Sequence, residues 1–350
     1  MKEDKMQEIN FFKNKSILVT GGTGSIGSVI VKELLKHDPH VVRVLDNNET
    51  ALFNLYHDLR SEKIRPLVGD VRDKERIKRA MEEIDIVFHA AALKHVPLCE
   101  YNPFDAVKTN IIGTQNIMDA ALDQGVEKVI LISTDKAANP TNVMGATKLL
   151  AERLTVSMNN YRGSRNTVFS CVRFGNVMNT RGSVIPLFKN QIIQGGPVTV
   201  TDPNMTRFMM TIPKAVNLVL KATEIAAAGE IFILKMPVVK IGDLAEVMVE
   251  ELALKYGHRP ENIEIKNIGK RPGEKLYEEL VTEYEAEYAY ENEEMFVIVP
   301  VKFSEICNLE VLLPNNFKKT NRKLYSSSYK DSYLLKKEEI KELLHLFSEV

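Results

Sequence analysis

The chain has 350 residues, with 46 Lys and Arg against 47 Asp and Glu, 44% hydrophobic residues and a formal net charge of −1. This length predicts one large domain or two unequal ones, and the balanced charge argues against extended nucleic-acid binding. The three cysteines, at positions 99, 171 and 307, have no short spacing, so we expect neither disulfides nor a metal site. This cysteine usage predicts a protein of the reducing cytoplasm. Because about 18 apolar residues never run together, we expect no membrane insertion.

The first half of the chain alternates between short β-rich apolar segments and amphipathic stretches of helical length. Such alternation is typical of right-handed βαβ units and a parallel sheet covered on both faces. We therefore predict an α/β fold with a Rossmann-type doubly wound parallel sheet. The predicted strands are 16–20, 41–45, 64–68, 85–89, 129–133 and 168–173, and the predicted helices between them include 25–36, 73–81 and 110–124.

The alternation stops near residue 176, where prolines and a glycine pair interrupt the sequence. Further helices are predicted at 214–228, 241–255 and 337–347, and loops at 315–316 and 326–328. We therefore assign 1–175, with returning segments, to the sheet domain and 176–350 mainly to a smaller C-terminal substrate-binding lobe.

A glycine-rich turn, Thr20–Gly27, lies between the first strand and the first helix, with Gly21, Gly24 and Gly27 three residues apart. In this context the pattern predicts a dinucleotide site, because the backbone can approach a pyrophosphate at a helix N-terminus. Asp46 ends the second strand, where a carboxylate accepts from ribose hydroxyls and repels a 2′-phosphate. The pattern therefore favours NAD over NADP, although the glycines alone would also fit an ordinary turn.

Candidate catalytic side chains follow the fifth strand. Thr134, Asp135 and Lys136 are consecutive, and Met144 and Lys148 are four residues apart, so they share a face if this segment is helical. Two simpler interpretations stay open. The segment 134–136 could be a helix-capping loop with a solvated lysine, and Met144 could be part of the hydrophobic core.

Six motifs carry a resemblance to a known family. They are TGGTGSIG (20–27), AAALKHVP (90–97), STDKA (133–137), GATK (145–148), RFGNV (173–177) and RPGEK (271–275). With them the sequence resembles the extended short-chain dehydrogenases/reductases, and more closely the UDP-N-acetylglucosamine 4,6-dehydratases of the polysaccharide-biosynthesis group. The resemblance covers roughly residues 14 to 282. It departs from the superfamily pattern at Met144, where a tyrosine is usual.

The resemblance implies a redox-neutral elimination in which sugar C4 is oxidised, water leaves across C5 and C6, and hydride returns to C6. Lys136 would be the base at C5 and Asp135 the acid at the C6 hydroxyl, while Thr134 would bind the C4 oxygen. Lys136 would need desolvation or a nearby cation to lose its proton near neutral pH. Lys148, which would bind the nicotinamide ribose, is a candidate for that cation. The thioether of Met144 cannot accept the O4 proton, so the group that does so stays open.

Binding residues are implied in the same way. Asp70 could contact adenine or be an ordinary turn aspartate, and surface salt bridges are the alternative for each arginine, whose planar fork otherwise suits a diphosphate. The cofactor-binding set is Gly21, Thr23, Gly24, Ser25, Ile26, Gly27, Asp46, Asp70, Val71, Ala90, Ala91 and Lys148. The substrate-binding set, for a UDP-sugar, is Lys94, His95, Asn176, Arg207, Arg271 and Glu274.

Two other functions remain open. A nucleotide-sugar 4-epimerase shares the fold and the first oxidation but does not require the Asp135–Lys136 pair. A non-catalytic NAD or nucleotide-sugar binder would need neither residue. The configuration at C5 and the choice between UDP and GDP also stay open. We expect a homo-oligomer from the superfamily, in which residues 284–350 could contact a neighbouring subunit.

Overall fold

The computed structural model describes residues 10–180, 182–300, 313–314, 316–328 and 332–345. Its strands are β1 (Ser16–Thr20), β2 (Val41–Asp46), β3 (Ile64–Val68), β4 (Ile86–His89), β5 (Lys128–Thr134), β6 (Val168–Phe174), β7 (Asn176–Val177), β8 (Val198–Val200), β9 (Thr206–Met210), β10 (Ile231–Leu234), β11 (Val238–Lys240), β12 (Ile265–Asn267), β13 (Glu279–Val281), β14 (Ala289–Glu291), β15 (Met295–Ile298), β16 (Lys318–Lys319) and β17 (Tyr325–Ser326).

The helices lie between these strands and close the described part of the chain. They are α1 (Gly27–Lys36), α2 (Glu49–Leu59), α3 (Lys74–Ala80), α4 (Val96–Tyr101), α5 (Pro103–Val107), α6 (Gly113–Gln124), α7 (Val143–Tyr161), α8 (Val184–Ile193), α9 (Ile212–Ile225), α10 (Ile241–Leu252), α11 (Glu283–Ala286) and α12 (Lys337–His345). A π-helical turn, Lys108–Ile112, leads into α6, and a 3₁₀ turn, Asp135–Ala137, follows β5.

The main sheet is a Rossmann-type doubly wound sheet, as the sequence predicts. Seven parallel strands run in the order β3-β2-β1-β4-β5-β6-β10, and β15, β14 and β16 extend the β10 edge in antiparallel fashion. In β1, Ile17 and Val19 pack into one hydrophobic cluster while Leu18 packs into another. Both faces of this strand are therefore covered, which explains its continuous apolar sequence.

The six strands predicted in the first half are confirmed to within one residue at each end. Helix α9 begins two residues earlier than predicted because Thr211 caps it and Pro213 fits its first turn. The predicted loop at 326–328 is wrong at its first residue. Ser326 belongs to β17, which pairs with β13. The other residue of β17, Tyr325, is anchored by its buried hydroxyl, which is hydrogen-bonded to both backbone groups of Met236. Residues 315, 346 and 347 of the predicted loop and helix lie outside the described residues.

A second, smaller core forms the C-terminal lobe. The sheet β11-β9-β7, the pair β12-β8 and helices α8, α10 and α12 surround it. The lobe is interrupted where β10, β14, β15 and β16 return to the main sheet. Helix α12 packs on α10 of the same chain, with Ile340 buried and Lys341 and His345 paired to Glu251. Contact of the C-terminal residues with a neighbouring subunit, and a homo-oligomer, remain predictions.

A buried charge cluster fastens a C-terminal segment to the main sheet. The guanidinium of Arg173, on β6, is fully buried and donates to the carboxylates of Glu152 on α7 and Glu285 on α11, at 2.6–3.0 Å. It also donates to the carbonyl of Leu280, at 2.8 Å. Arg173 therefore fastens the segment around β13 and α11 to the main sheet, next to the site described below.

Acidification should weaken this junction. Burial alone would raise the pKa of Glu285, but Arg173 lowers it to about 2, from 4.5 for an ordinary glutamate. Because the folded-state pKa is depressed, the stabilisation is complete above pH 4.5 and is lost as the pH falls toward 2. It amounts to about 3 kcal/mol. Urea unfolding between pH 6 and pH 3 measures the first part of this loss, about 2 kcal/mol. A Glu285→Gln variant should be less stable at pH 6 and lose less stability on acidification, and an unchanged pH dependence would contradict the assignment.

Candidate active site

The glycine turn folds tightly against the end of β4. Gly21 has φ of +64°, and a Cβ added to it would lie 2.7 Å from backbone atoms of Ala91. A Cβ on Gly27 would lie 2.3 Å from the carbonyl oxygen of Gly21. Only glycine fits these positions, and α1 begins directly at Gly27. The N-terminus of α1 is therefore open to an anion beside Ala90 and Ala91.

Asp46 lies beside this turn, at the carboxyl end of β2. Its Oδ2 accepts hydrogen bonds from the backbone N–H of Thr23, at 3.1 Å, and from the Thr23 hydroxyl, at 2.7 Å. The predicted pyrophosphate and ribose contacts are thus adjacent. A helix N-terminus for phosphates and a carboxylate for ribose hydroxyls fit a dinucleotide.

Asp70 and Val71 follow β3 in the same region. Two hydrogen bonds from the guanidinium of Arg72, at 2.9 and 2.6 Å, hold the pKa of Asp70 below its usual value. Val71 is buried, and a Cβ added to Gly113 would lie 2.7 Å from its side chain. The structure shows ion pairing for Asp70 and packing for Val71. The contact of Asp70 with adenine and the binding of the cofactor by Val71 remain predictions.

Asp135 and Lys136 form an adjacent acid and base after β5. Asp135 has 0% exposure, and its Oδ1 accepts from the Thr134 hydroxyl and from Lys136 Nζ, both at 2.9 Å. Among the described residues its Oδ2 has no hydrogen-bond partner. The Lys136 side chain is 25% exposed. One end of the pair is therefore accessible from outside while the carboxylate is enclosed.

The charges around Lys136 differ from the expectation. Burial alone would lower the pKa of Lys136, but Asp135 and Glu278 together raise it above its usual value. Lys148 donates instead to the carbonyl of Ile132, at 2.7 Å, and burial lowers the pKa of Lys148 to about 8. In this structure the pKa of Lys136 is thus raised, not lowered as expected, because two carboxylates and not a second lysine dominate its surroundings.

Met144 is buried at the start of α7. It packs with Cys99 and Ala106 from α4 and α5, which agrees with the core-packing interpretation. The next residue, Gly145, brings the helix against the acid–base pair, since a Cβ there would lie 2.4 Å from the carbonyl oxygen of Lys136. The helix thus carries Lys148 to the end of β5, while the methionine side chain fills a hydrophobic cluster.

Asn110 holds the loop after β4 in place. Its amide pairs with both backbone groups of Leu93, at 2.8 and 3.0 Å, and donates to the Thr147 hydroxyl on α7, at 3.0 Å. This arrangement fixes the segment that carries Lys94 and His95. Both residues are largely exposed, and the His95 ring lies against Gly182. Partial burial of the ring, and then the charge of Lys94, lower the pKa of His95.

Asn176 and Arg207 come from the C-terminal lobe. Asn176 Oδ1 is buried without a partner in the described part of the chain, and a Cβ on the preceding Gly175 would lie 3.2 Å from Asp135 Oδ2. Asn176 is therefore close to the acid. Arg207 is buried and donates to the carbonyls of residues 206, 275 and 276, at 2.8–3.1 Å. It supports the neighbouring loop, and its contact with substrate remains a prediction.

The RPGEK loop lies against the segment that follows Lys136. Lys275 Nζ donates to the carbonyl of Ala138, at 3.0 Å, and the Thr141 hydroxyl donates to the carbonyl of Gly273, at 2.8 Å. Within the loop, Glu274 accepts from the backbone N–H of Arg271, at 3.1 Å, and the Arg271 side chain is exposed. The loop thus brings these two predicted substrate residues to the same region.

Glu278 is a residue of this site that the sequence motifs do not predict. This carboxylate is 4% exposed, and its Oε1 lies 3.8 Å from Lys136 Nζ. Glu278 directly precedes β13, whose first residue is Glu279, a position typical of solvated surface glutamates. The sequence feature that could have indicated Glu278 is its position three residues after Lys275, the last residue of the RPGEK motif.

A family model described as polysaccharide biosynthesis protein matches residues 17–300. This range contains the glycine turn, the acid–base pair and the RPGEK loop. The chain belongs to this family.

Three relatives show how the family members are named. The chain is 64% identical over 335 residues to an uncharacterized membrane protein of Methanocaldococcus jannaschii, covering 96% of each. It is 44% identical over 291 residues to an inverting UDP-N-acetylglucosamine 4,6-dehydratase of Campylobacter jejuni, covering 83% of this chain and 84% of that one. It is 43% identical over 278 residues to a UDP-glucose 4-epimerase of Rickettsia rickettsii, covering 78% and 80%.

Solved structures agree with the fold. Pen from Bacillus thuringiensis has a TM-score of 0.88 and 48% identity, covering 96% of this chain and 98% of that chain. The Streptomyces venezuelae dTDP-glucose 4,6-dehydratase DesIV, solved with NAD and TYD bound, has a TM-score of 0.67 and 24% identity, covering 75% of this chain and 86% of that chain. Among the described residues of this family member, no helix is both long and apolar enough to cross a bilayer.

Proposed function

We propose that this family member is a UDP-N-acetylglucosamine 4,6-dehydratase that forms a UDP-4-keto-6-deoxy-N-acetylhexosamine for surface polysaccharide or glycan synthesis. The observation that carries the proposal is the adjacent Asp135–Lys136 pair. An elimination needs an acid for the leaving hydroxyl and a base for the C5 proton, and both occur within 2.9 Å of each other. The Campylobacter jejuni dehydratase, at 44% identity, supports the substrate.

The cofactor in this proposal is NAD. The glycine turn would hold its pyrophosphate, Asp46 its ribose and Lys148 the ribose next to the nicotinamide. When bound, NAD⁺ supplies a hydride acceptor for sugar C4 and returns that hydride to C6. The bond between Asp46 and Thr23 supports this assignment, because it keeps the carboxylate at the turn.

The chain's own residues account for the proton transfers. The Thr134 hydroxyl donates to Asp135 Oδ1, at 2.9 Å, so a proton that leaves O4 can pass through Thr134 to Asp135. This route does not require a tyrosine at position 144. Asp135 then gives its proton to the departing C6 hydroxyl, and Lys136 takes the C5 proton. The C6–O bond breaks, water leaves and Lys136 later returns a proton to C5.

Deuterium labelling tests the proposal. Purified protein is incubated with UDP-N-acetylglucosamine in deuterated water, with and without added NAD, and the sugar is followed by NMR and mass spectrometry. A 4-keto-6-deoxy product with deuterium at C5 is expected, and its NMR couplings give the C5 configuration. An unchanged sugar would contradict the proposed substrate. Parallel reactions with GDP-linked and non-acetylated sugars would then identify a different donor.

The second candidate is a nucleotide-sugar 4-epimerase, which the Rickettsia rickettsii relative favours. Such an enzyme keeps the C6 hydroxyl and inverts C4. The same NMR experiment separates the two functions, because only the dehydratase produces a C6 methyl group. The buried acid beside Lys136 favours the dehydratase, since epimerisation does not require protonation of a leaving hydroxyl.

Removing the Asp46 carboxylate should weaken NAD binding. Asp46→Ala eliminates charged hydrogen bonds to ribose, each worth about 1.5–3 kcal/mol, so the Kd for NAD should rise roughly 10- to 150-fold. The preference for NAD over NADP should also fall. Isothermal titration calorimetry measures both affinities. Asp58→Ala, a change on the exposed surface of α2, is the control, and an unchanged Kd in Asp46→Ala would exclude the ribose contact.

A further inference from the structure

Glu278 is a buried carboxylate beside the acid–base pair, and the proton transfers above do not use it. Its Oε1 lies 3.8 Å from Lys136 Nζ and 3.9 Å from Arg207 Nε. Its Oε2 is buried and has no hydrogen-bond partner among the described residues. Because a buried carboxylate is costly unless cations or donors compensate it, this location requires an explanation.

The backbone fixes Glu278 at this place. Its N–H donates to the Ser327 hydroxyl, and its carbonyl accepts from the Ser327 N–H, both at 2.8 Å. Arg207 donates to the carbonyls of Lys275 and Leu276 just before it. The backbone of the segment that carries Glu278 is therefore held from two sides, and this fixed backbone places the carboxylate next to Lys136.

Charged groups of both signs surround Lys136. Asp135 and Glu278 act on the lysine as anions, and Arg207 acts as a cation. The pKa of Glu278 is raised above its usual value, because burial and the charge of Asp135 outweigh the opposing effects of Lys136, Arg207 and Lys275. The ammonium of Lys136 thus has two carboxylates at 2.9 and 3.8 Å.

We propose that Glu278 is a positioning residue that holds Lys136 Nζ and stabilises it in the ammonium form. The inference rests on the proposed function. When elimination occurs, the C5–H bond breaks, an N–H bond forms on Lys136, and Asp135 loses its proton to the departing hydroxyl. The pair changes from neutral amine and carboxylic acid to ammonium and carboxylate. Glu278 stabilises this second state, in which the lysine keeps a proton to return to C5.

The pH dependence of turnover tests the role. Lys136 must be neutral to remove the C5 proton, so activity falls at acidic pH as the lysine becomes protonated. In Glu278→Gln, which removes a negative charge beside Lys136, the acidic limb of the plot of kcat/KM against pH should move to lower pH by roughly one to three units. Glu278→Asp, which keeps the charge, should leave the limb close to that of the wild type. Glu283→Gln removes the same charge at the exposed start of α11 and should change nothing. A limb that stays at the wild-type pH in Glu278→Gln would overturn the proposal.

A direct titration makes the test independent of activity. In protein labelled with ¹³C at lysine Cε, the Lys136 signal is the one lost in Lys136→Gln. The pH at the midpoint of the titration of this Lys136 signal should be lower in Glu278→Gln than in the wild type or Glu283→Gln. Equal midpoints in all three would overturn the proposal. A lowered midpoint in a protein that dehydrates no nucleotide sugar would support the Glu278 interaction and contradict the proposed function. Circular dichroism confirms that each variant is folded.

Discussion

Lys136→Ala should abolish formation of the 4-keto-6-deoxy product while leaving NAD binding unchanged. The variant removes the base that takes the C5 proton, and the loss of a positioned general base lowers kcat by about 10²–10⁴-fold. Asp46 and the glycine turn are not altered, so the Kd for NAD should remain within about twofold of the wild-type value, because no contact of the cofactor is removed. NMR of the sugar measures turnover, and calorimetry measures cofactor binding.

A matched variant separates the chemistry from a general effect of losing a lysine. Lys189→Ala makes the same change at an exposed position of α8 and should keep full activity. Lys136→Ala also deprives the buried Asp135 of one partner, so the urea unfolding midpoint is measured for both variants. Turnover near the wild-type level in folded Lys136→Ala would show that another group is the C5 base.

Arg173→Met should destabilise the protein more than any surface change. It leaves the carboxylates of Glu152 and Glu285 buried without their cation, and breaking a buried ion pair from one side costs about 3–5 kcal/mol. Domains of ordinary stability have about 5–15 kcal/mol in total, so a large part of the stability is at risk. Urea unfolding at pH 7 measures the loss.

Neutralising the two acids distinguishes unpaired charge from lost packing. In the triple variant Arg173→Met, Glu152→Gln, Glu285→Gln, no buried charge of the cluster remains, so much of the stability should return. Arg165→Met, an exposed change before β6, should change the free energy of unfolding by no more than about 0.5 kcal/mol. If Arg173→Met were as stable as Arg165→Met, the ion cluster would not stabilise the packing of the β13–α11 segment on the main sheet.

The sequence by itself determined the sheet domain and the local motifs. Each strand from β1 to β6 is a short apolar run with turn residues on either side, and these signals depend on few neighbours in the chain. The glycine turn could be recognised because its geometry excludes a Cβ at Gly21 and Gly27. Asp135 and Lys136 could be recognised because they are adjacent and directly follow a strand.

The tertiary structure decided which distant side chains surround those motifs. Glu278 lies 142 positions after Lys136, and Glu285 lies 112 positions after Arg173. No local pattern marks either glutamate as buried, because burial arises only when the segment that carries both packs against distant parts of the chain. The charge state of Lys136 depends on the same packing. A lysine expected to meet a second lysine meets two carboxylates, since electrostatic interactions follow distance in space and not separation along the chain.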